Sequence, residues 1–184
     1  AQKPHMNRIA AEGLAGMVRT VPAGLQPGSD TANMSVMGYD PSVFYTGRSP
    51  LEAIGMAIEM EPGDVSFRCN RVTLSEEPDD SAGAGPDERF AARTMVDYSA
   101  DEIGSDEAAR LIDLLNERFA DTRLRFFPGK SYRHCLIWKN GESRMALTPP
   151  HYIRTRVIGN YLPAGPGSDR LKAMMLASND FLPG

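Results

Sequence analysis

From Asp64 to Leu74 the apolar residues alternate: Val65, Phe67 and Cys69 are separated by Ser66, Arg68 and Asn70. That two-residue period belongs to a strand with one buried face. Such a strand needs neighbours and a cover, so this stretch commits the chain to a sheet packed under helices. Arg68 and Asn70 then point the same way, opposite to the apolar set.

The partner strands are expected late in the chain, at Arg123 to Phe127 and Tyr132 to Trp138, and Asn140-Gly141 predicts a tight hairpin returning through Arg144 to Leu147. Ser105-Asp-Glu caps an amphipathic helix reaching about Phe119, with Leu111, Ile112, Leu115 and Phe119 on one stripe and the acids in its first turn. Residues 76–92, rich in Pro, Gly, Asp and Glu without periodicity, read as an exposed loop that carries no chemistry. The expected class is α+β, an insertion domain over residues 62–150 built as a helix-covered antiparallel sheet.

The flanks follow a different grammar. A helix with Met6, Ile9, Ala10 and Leu14 on one stripe comes first, then a short strand from Gly16 to Val21. The loop Pro22 to Gly28 cannot be crossed by a regular element, and it delivers Ser29 to a helix expected from Asp30 to Gly38. Ser49-Pro50-Leu51-Glu52 has the form of a capping box opening a helix to Ile58. A last helix, capped at Ser168, carries Leu171, Met174, Met175 and Phe181. Residues 1–61 therefore read as a segment of a catalytic α/β domain, residues 62–150 as the insertion domain, and residues 151–184 as a return segment toward the catalytic domain. The chain opens with Ala-Gln-Lys-Pro and no Met, so it is expected to be an internal fragment.

With 20 Lys+Arg against 24 Asp+Glu and a net charge of −4, no global positive field exists to draw nucleic acid or anionic lipid. Neither is expected as a partner, and an anionic small molecule must be met by arginines gathered locally. Cys69 and Cys135 are two distant thiols in a chain without an apolar signal segment, which suits a reducing cytoplasm.

Gly28-Ser29-Asp30 places a hydroxyl after a conformationally free residue and ahead of a helix start, where backbone N–H groups favour an anion. The same spacing also describes a plain N-cap by Ser29 or Asp30, and both readings stay open. Arg48, Arg68 and Arg133 offer planar forks for phosphate or carboxylate. Arg133 is preferred over His134, because neighbours on a strand face opposite sides. His5, His134 and His151 form no metal-ligand spacing and are assigned structural roles.

Pro27-Gly-Ser-Asp-Thr-Ala-Asn-Met-Ser35, Gly38-Tyr-Asp-Pro41, Tyr45-Thr-Gly-Arg-Ser-Pro-Leu-Glu-Ala53 and Gly63-Asp-Val-Ser-Phe-Arg-Cys-Asn70 together resemble the archaeal type of cofactor-independent phosphoglycerate mutase. The likeness extends through Met95 to Ala100, Ser131 to Trp138 and Thr148 to His151. It implies an alkaline-phosphatase-like catalytic domain and interconversion of 2- and 3-phosphoglycerate, a glycolytic isomerisation. It also implies two divalent metals, manganese, magnesium or zinc, in the complete enzyme. Ser29 would be the transiently phosphorylated nucleophile and one metal contact, while Arg48, Arg68, Asn70 and Arg133 would hold substrate phosphate or carboxylate. The remaining metal ligands are expected outside this chain, in missing N- and C-terminal parts of the same polypeptide. The fragment is accordingly expected to hold no metal and to be inactive alone.

Two departures from that pattern open a second reading. Asn33 stands where the mutase branch has His, and Asp97-Tyr-Ser-Ala-Asp-Glu102 replaces an arginine-rich stretch. With Ser131-Tyr-Arg-His134 and Leu147-Thr-Pro-Pro-His151, these segments look like a bacterial branch proposed to act as an alternative homoserine kinase. On that reading Asp97 would face the ammonium of an amino acid substrate. A third reading is a non-catalytic module that binds a small molecule.

Overall fold

In the computed structural model, residues 2–76, 84–119 and 121–182 are described. Contacts gather into two compact units, Ala1–Arg48 and Ser49–Gly184.

The first unit contains α1 (Pro4–Glu12), α2 (Ser29–Val36) and the short α3 (Pro41–Phe44). Pro4 and Pro41 occupy first-turn positions, where a missing N–H costs nothing. The strand expected from Gly16 to Val21 does not form. Its backbone joins no ladder, and Met17 and Val18 are 100% and 80% exposed. A strand is stabilised only by pairing, and no strand of the described residues lies in this unit.

The second unit holds the sheet. Helix α4 (Arg48–Gly55) leads into β1 (Val65–Asn70), β2 (Thr73–Leu74), α5 (Pro86–Ala92), β3 (Met95–Asp97), α6 (Ser105–Arg118), β4 (Leu124–Phe127), β5 (Arg133–Trp138) and α7 (Ser168–Phe181). The main sheet is antiparallel in the order β1-β5-β4, with Phe67 opposite Leu136 and Phe126 opposite the same residue from the other side. Strands β2 and β3 form a separate pair.

Alternation sorts the side chains into layers. Phe67, Leu124, Phe126, Leu136 and Trp138 face Ile112 of α6 and Leu171 of α7. Cys135 and Ile137, on the opposite face, pack on Ala53 of α4 with Met56, Ile58 and Met60. Residues 49–61 and α7 thus both contribute cover to the sheet. A smaller cluster joins Phe90, Met95, Ile153 and Ile158.

Three expectations are corrected. The return strand from Arg144 to Leu147 is absent, although Asn140 does adopt the left-handed backbone of a tight turn. Strand β5 already pairs with β1 on one edge and β4 on the other, so no edge is left for a third. The loop read over 76–92 contains a helix: Gly85 caps it, Pro86 starts it, and Phe90 buries itself in the small cluster. Residues 77–83 of that loop lie outside the described residues. Finally, Ser29, Ser105 and Ser168 are not N-caps. Gly28, Gly104 and Gly167 take that position, and each serine is the first helical residue. Ser49 likewise lies inside α4, which begins at Arg48.

No helix of the described residues is long and apolar enough to cross a membrane.

Candidate functional site

Because Gly28 caps α2, the Ser29 hydroxyl is not spent on its own helix. It stands exposed in the first turn, where N–H groups lack intrahelical acceptors. A Cβ on Gly28 would come within 2.3 Å of Asp30 Oδ1, so a side chain at position 28 would displace the Asp30 carboxylate from this turn. Thr31, 2% exposed, pins the turn by donating its hydroxyl to the Gly28 carbonyl at 3.0 Å.

Asp30 completes this turn. Its Oδ1 accepts from the Thr31 amide at 3.0 Å, and its Oδ2 accepts from the Tyr45 hydroxyl. Partial burial works to raise the Asp30 pKa, but the bond from Tyr45, the amides of Thr31 and Asp30, and the nearby Arg48 charge outweigh it and hold the carboxyl below its ordinary value. Burial and the Asp30 charge push Tyr45 up to about 12. Tyr45 therefore stays a donor and Asp30 an acceptor across the physiological range. Arg48 supplies positive charge to this pair.

In the second unit, Arg68, Asn70 and Arg133 share one face of the sheet. Arg68 sits opposite Cys135 and Asn70 opposite Arg133 in the β1–β5 register. Arg68 Nη1 lies 3.5 Å from Glu52 Oε1 of α4, while its Nε is buried with no hydrogen-bond partner among the described residues. A buried, unpaired guanidinium N–H is costly, and an anion would satisfy it. The Arg133 guanidinium lies 5.5 Å from the ring centroid of Tyr132. Asn70 Nδ2 donates to the Tyr98 carbonyl at 3.3 Å.

The segments around Tyr98 converge in a way the sequence reading missed. The Tyr98 ring meets Tyr132 edge-on at 6.0 Å and His151 at 6.2 Å. These rings belong to the three segments Asp97-Tyr-Ser, Ser131-Tyr-Arg-His and Pro150-His, which carry the branch resemblance. Their shared aromatic content was the available signal. Asp97 is close by in sequence, but its carboxylate accepts from Ser99 N, Ser99 Oγ and Asp101 N. Those bonds occupy it within its own turn.

Cysteine chemistry is disfavoured. Burial pushes the thiols up, Cys69 to about 12 and Cys135 to about 11, so neither is a thiolate near neutrality. Among the described residues no three His, Cys, Asp or Glu side chains gather as a metal site. Ser29 with an Asp30 already engaged does not make a divalent-metal centre, so the described residues do not by themselves fit the two metals that the resemblance implies.

The sequence model of the 2,3-bisphosphoglycerate-independent phosphoglycerate mutases matches residues 10–184. The chain belongs to that family. A probable 2,3-bisphosphoglycerate-independent phosphoglycerate mutase of Geobacter sulfurreducens is 42% identical over 178 residues, covering 97% of this chain and 42% of that protein. The 2,3-bisphosphoglycerate-independent phosphoglycerate mutase of Methanosarcina barkeri is 44% identical over 170 residues, covering 92% of this chain and 39% of its own length. The solved cofactor-independent phosphoglycerate mutase of Thermoplasma acidophilum superposes with a TM-score of 0.50 at 26% identity, over 85% of this chain and 38% of that one. The phosphoglycerate mutase relatives are thus longer, and this chain spans about two fifths of their length.

Proposed function

We propose that this chain is part of a phosphoglycerate mutase that moves a phosphoryl group between the 2- and 3-hydroxyls of glycerate through a phosphoserine at Ser29. The observation that carries the reading is the exposed Ser29 hydroxyl in the first turn of α2, freed from capping by Gly28, in a chain of this family.

The Ser29 oxygen attacks phosphorus, the bond from phosphorus to the substrate oxygen breaks, and the serine proton ends on the released hydroxyl. Glycerate then attacks the phosphoserine through its other hydroxyl, and the proton returns to Ser29. The positive end of the α2 backbone dipole beside Ser29 favours the phosphoryl charge, while the Thr31 amide is already taken by Asp30 Oδ1. Arg48 offsets the Asp30 carboxylate beside the nucleophile. As the family resemblance implies, Arg68, Asn70 and Arg133 are assigned to the anionic groups of the substrate, with Arg68 Nε as an unused donor. Residues 1–61 are assigned to the catalytic α/β domain, residues 62–150 to the insertion domain and residues 151–184 to the return segment.

The homoserine kinase reading needs a carboxylate facing an ammonium. Asp97 is spent on its own turn, which makes this reading the weaker of the two.

The test uses the complete polypeptide. Ser29→Ala is expected to abolish isomerisation of 3-phosphoglycerate and the phosphate adduct on the Ser29 peptide in acid-quenched mass spectra. Turnover in the variant at wild-type level sinks the proposal.

A further inference from the structure

Three successive residues after β3, Ala100, Asp101 and Glu102, have φ of 47°, 54° and 53°. None is glycine. The left-handed region is disfavoured for every side chain with a Cβ, and runs of it are rare. Such a segment persists only when its surroundings over-determine it.

Asp97 provides the over-determination. Its carboxylate takes hydrogen bonds from the Ser99 amide at 3.2 Å, the Ser99 hydroxyl at 3.0 and 2.9 Å, and the Asp101 amide at 2.7 Å. Two backbone bonds close the winding, Glu102 N to Ser99 O at 3.0 Å and Ile103 N to Ala100 O at 3.1 Å. The Asp101 amide is the leading cause that holds the Asp97 carboxyl below its ordinary pKa, followed by burial, which opposes it, then Ser99 and the more distant Arg154. Asp97 therefore stays charged and accepting.

The winding starts at Tyr98. That residue is clamped between the strand pairing of Asp97 with Thr73 and the buried Ser99, and its carbonyl meets Asn70 while its ring meets Tyr132 and His151. We infer that Asp97 is a positioning residue: it holds residues 100–102 in a left-handed turn and so fixes Tyr98 against Asn70 beside Arg133. Asp97 has no need to touch substrate in this role. The inference rests on the mutase reading only for its kinetic readout, since the geometry is independent of the reaction.

The experiment compares four forms of the complete polypeptide: wild type, Asp97→Ala, Asp97→Asn, and Asp97→Ala with Ala100→Gly and Asp101→Gly. Glycine enters the left-handed region without the steric strain of a Cβ, so it removes the strain that the carboxylate otherwise offsets while leaving position 97 without a carboxylate. Amide hydrogen exchange over residues 98–103 and KM and kcat for 3-phosphoglycerate are measured on each.

In Asp97→Ala the 98–103 amides are expected to lose protection and KM to rise on the order of tenfold, with kcat changed less. Asp97→Asn, which keeps an acceptor oxygen, falls between. The glycine triple variant recovers both protection and KM. If protection returns in the triple variant while KM stays high, Asp97 acts on substrate directly and the inference is overturned. Wild-type protection in Asp97→Ala overturns it equally. Should Asp97→Ala fail to fold, the same comparison is made between Asp97→Asn and its glycine counterpart. If wild type does not isomerise phosphoglycerate, the mutase reading fails, and exchange protection alone decides the role of Asp97.

Discussion

Tyr45 donates its phenolic hydrogen to the carboxylate of Asp30, fifteen residues earlier in the chain. That bond ties the loop after α3 to the first turn of α2, next to Ser29. Its loss in Tyr45→Phe leaves Asp30 with the burial that raises its pKa and without the strongest bond that lowers it. A carboxyl depressed in the folded state contributes stability above its unfolded pKa and loses it as pH falls through the folded value. The variant therefore loses this contribution, about 1 kcal/mol for one hydrogen bond, and its acid unfolding limb moves to higher pH. Urea unfolding of the complete protein between pH 3 and pH 7 checks both. Superposable acid limbs would mean that the bond contributes nothing.

A second pH dependence has the opposite chemistry but the same direction. His134 is 4% exposed on β5, and its Nδ1 accepts from the Gly129 amide at 3.2 Å. Burial, with Arg71 adding repulsion, lowers its pKa from 6.5 to about 4. The folded state thus favours the neutral ring. Its contribution is complete above pH 6.5 and is lost as pH falls toward 4, to a total on the order of 3 kcal/mol. Replacing it by Gln, which can still accept from Gly129, should flatten the stability profile between pH 4 and 6.5. An unchanged slope in His134→Gln would assign the titration to another group.

The sequence made the strand alternation legible because burial on one face writes itself into every second residue, as at Val65, Phe67 and Cys69. It made α6 legible for the same reason at helical spacing. The missing return strand was not legible, since Asn140-Gly141 reports a turn and cannot report that both edges of β5 are taken. Serine caps were overread: Gly-Ser before an acid fits a serine cap and a glycine cap equally, and only the backbone decides. At the site, Ser29, Arg68 and Arg133 were nominated from residue type and spacing alone. The Tyr45–Asp30 bond and the meeting of Tyr98, Tyr132 and His151 join residues far apart in sequence, and no local pattern encodes such contacts.

Asn116 of α6 closes the outer edge of β4. Its Oδ1 accepts from the Phe126 amide at 2.8 Å, and its Nδ2 donates to the Phe126 carbonyl at 2.9 Å. An open strand edge presents unpaired backbone groups to other chains. Asn116→Ala should cost about 2 kcal/mol in urea unfolding, since two part-buried backbone groups lose their partner, and should raise aggregation on mild heating. Asn116→Asp keeps the acceptor and loses the donor, so it should fall between. Equal stability of all three forms would show that water replaces the side chain without cost.

On the proposed function, Arg68 is the residue at which stability and substrate binding should separate. Its guanidinium is held near Glu52 at 3.5 Å, yet its buried Nε is unpaired, so the fork is oriented while part of its donor capacity is unused. Lysine in its place keeps a positive charge for Glu52 and loses the planar fork. Arg68→Lys should therefore raise KM for 3-phosphoglycerate about tenfold, the equivalent of roughly 1.4 kcal/mol, with a small change in unfolding free energy. Glu52→Gln works in the other direction: it removes the competing anion, leaves more of the guanidinium charge for substrate, and should lower KM while costing a little stability. The two variants read together separate the roles. If Arg68→Lys destabilises the protein and leaves KM unchanged, Arg68 is a structural partner of Glu52 and the anion must be held elsewhere.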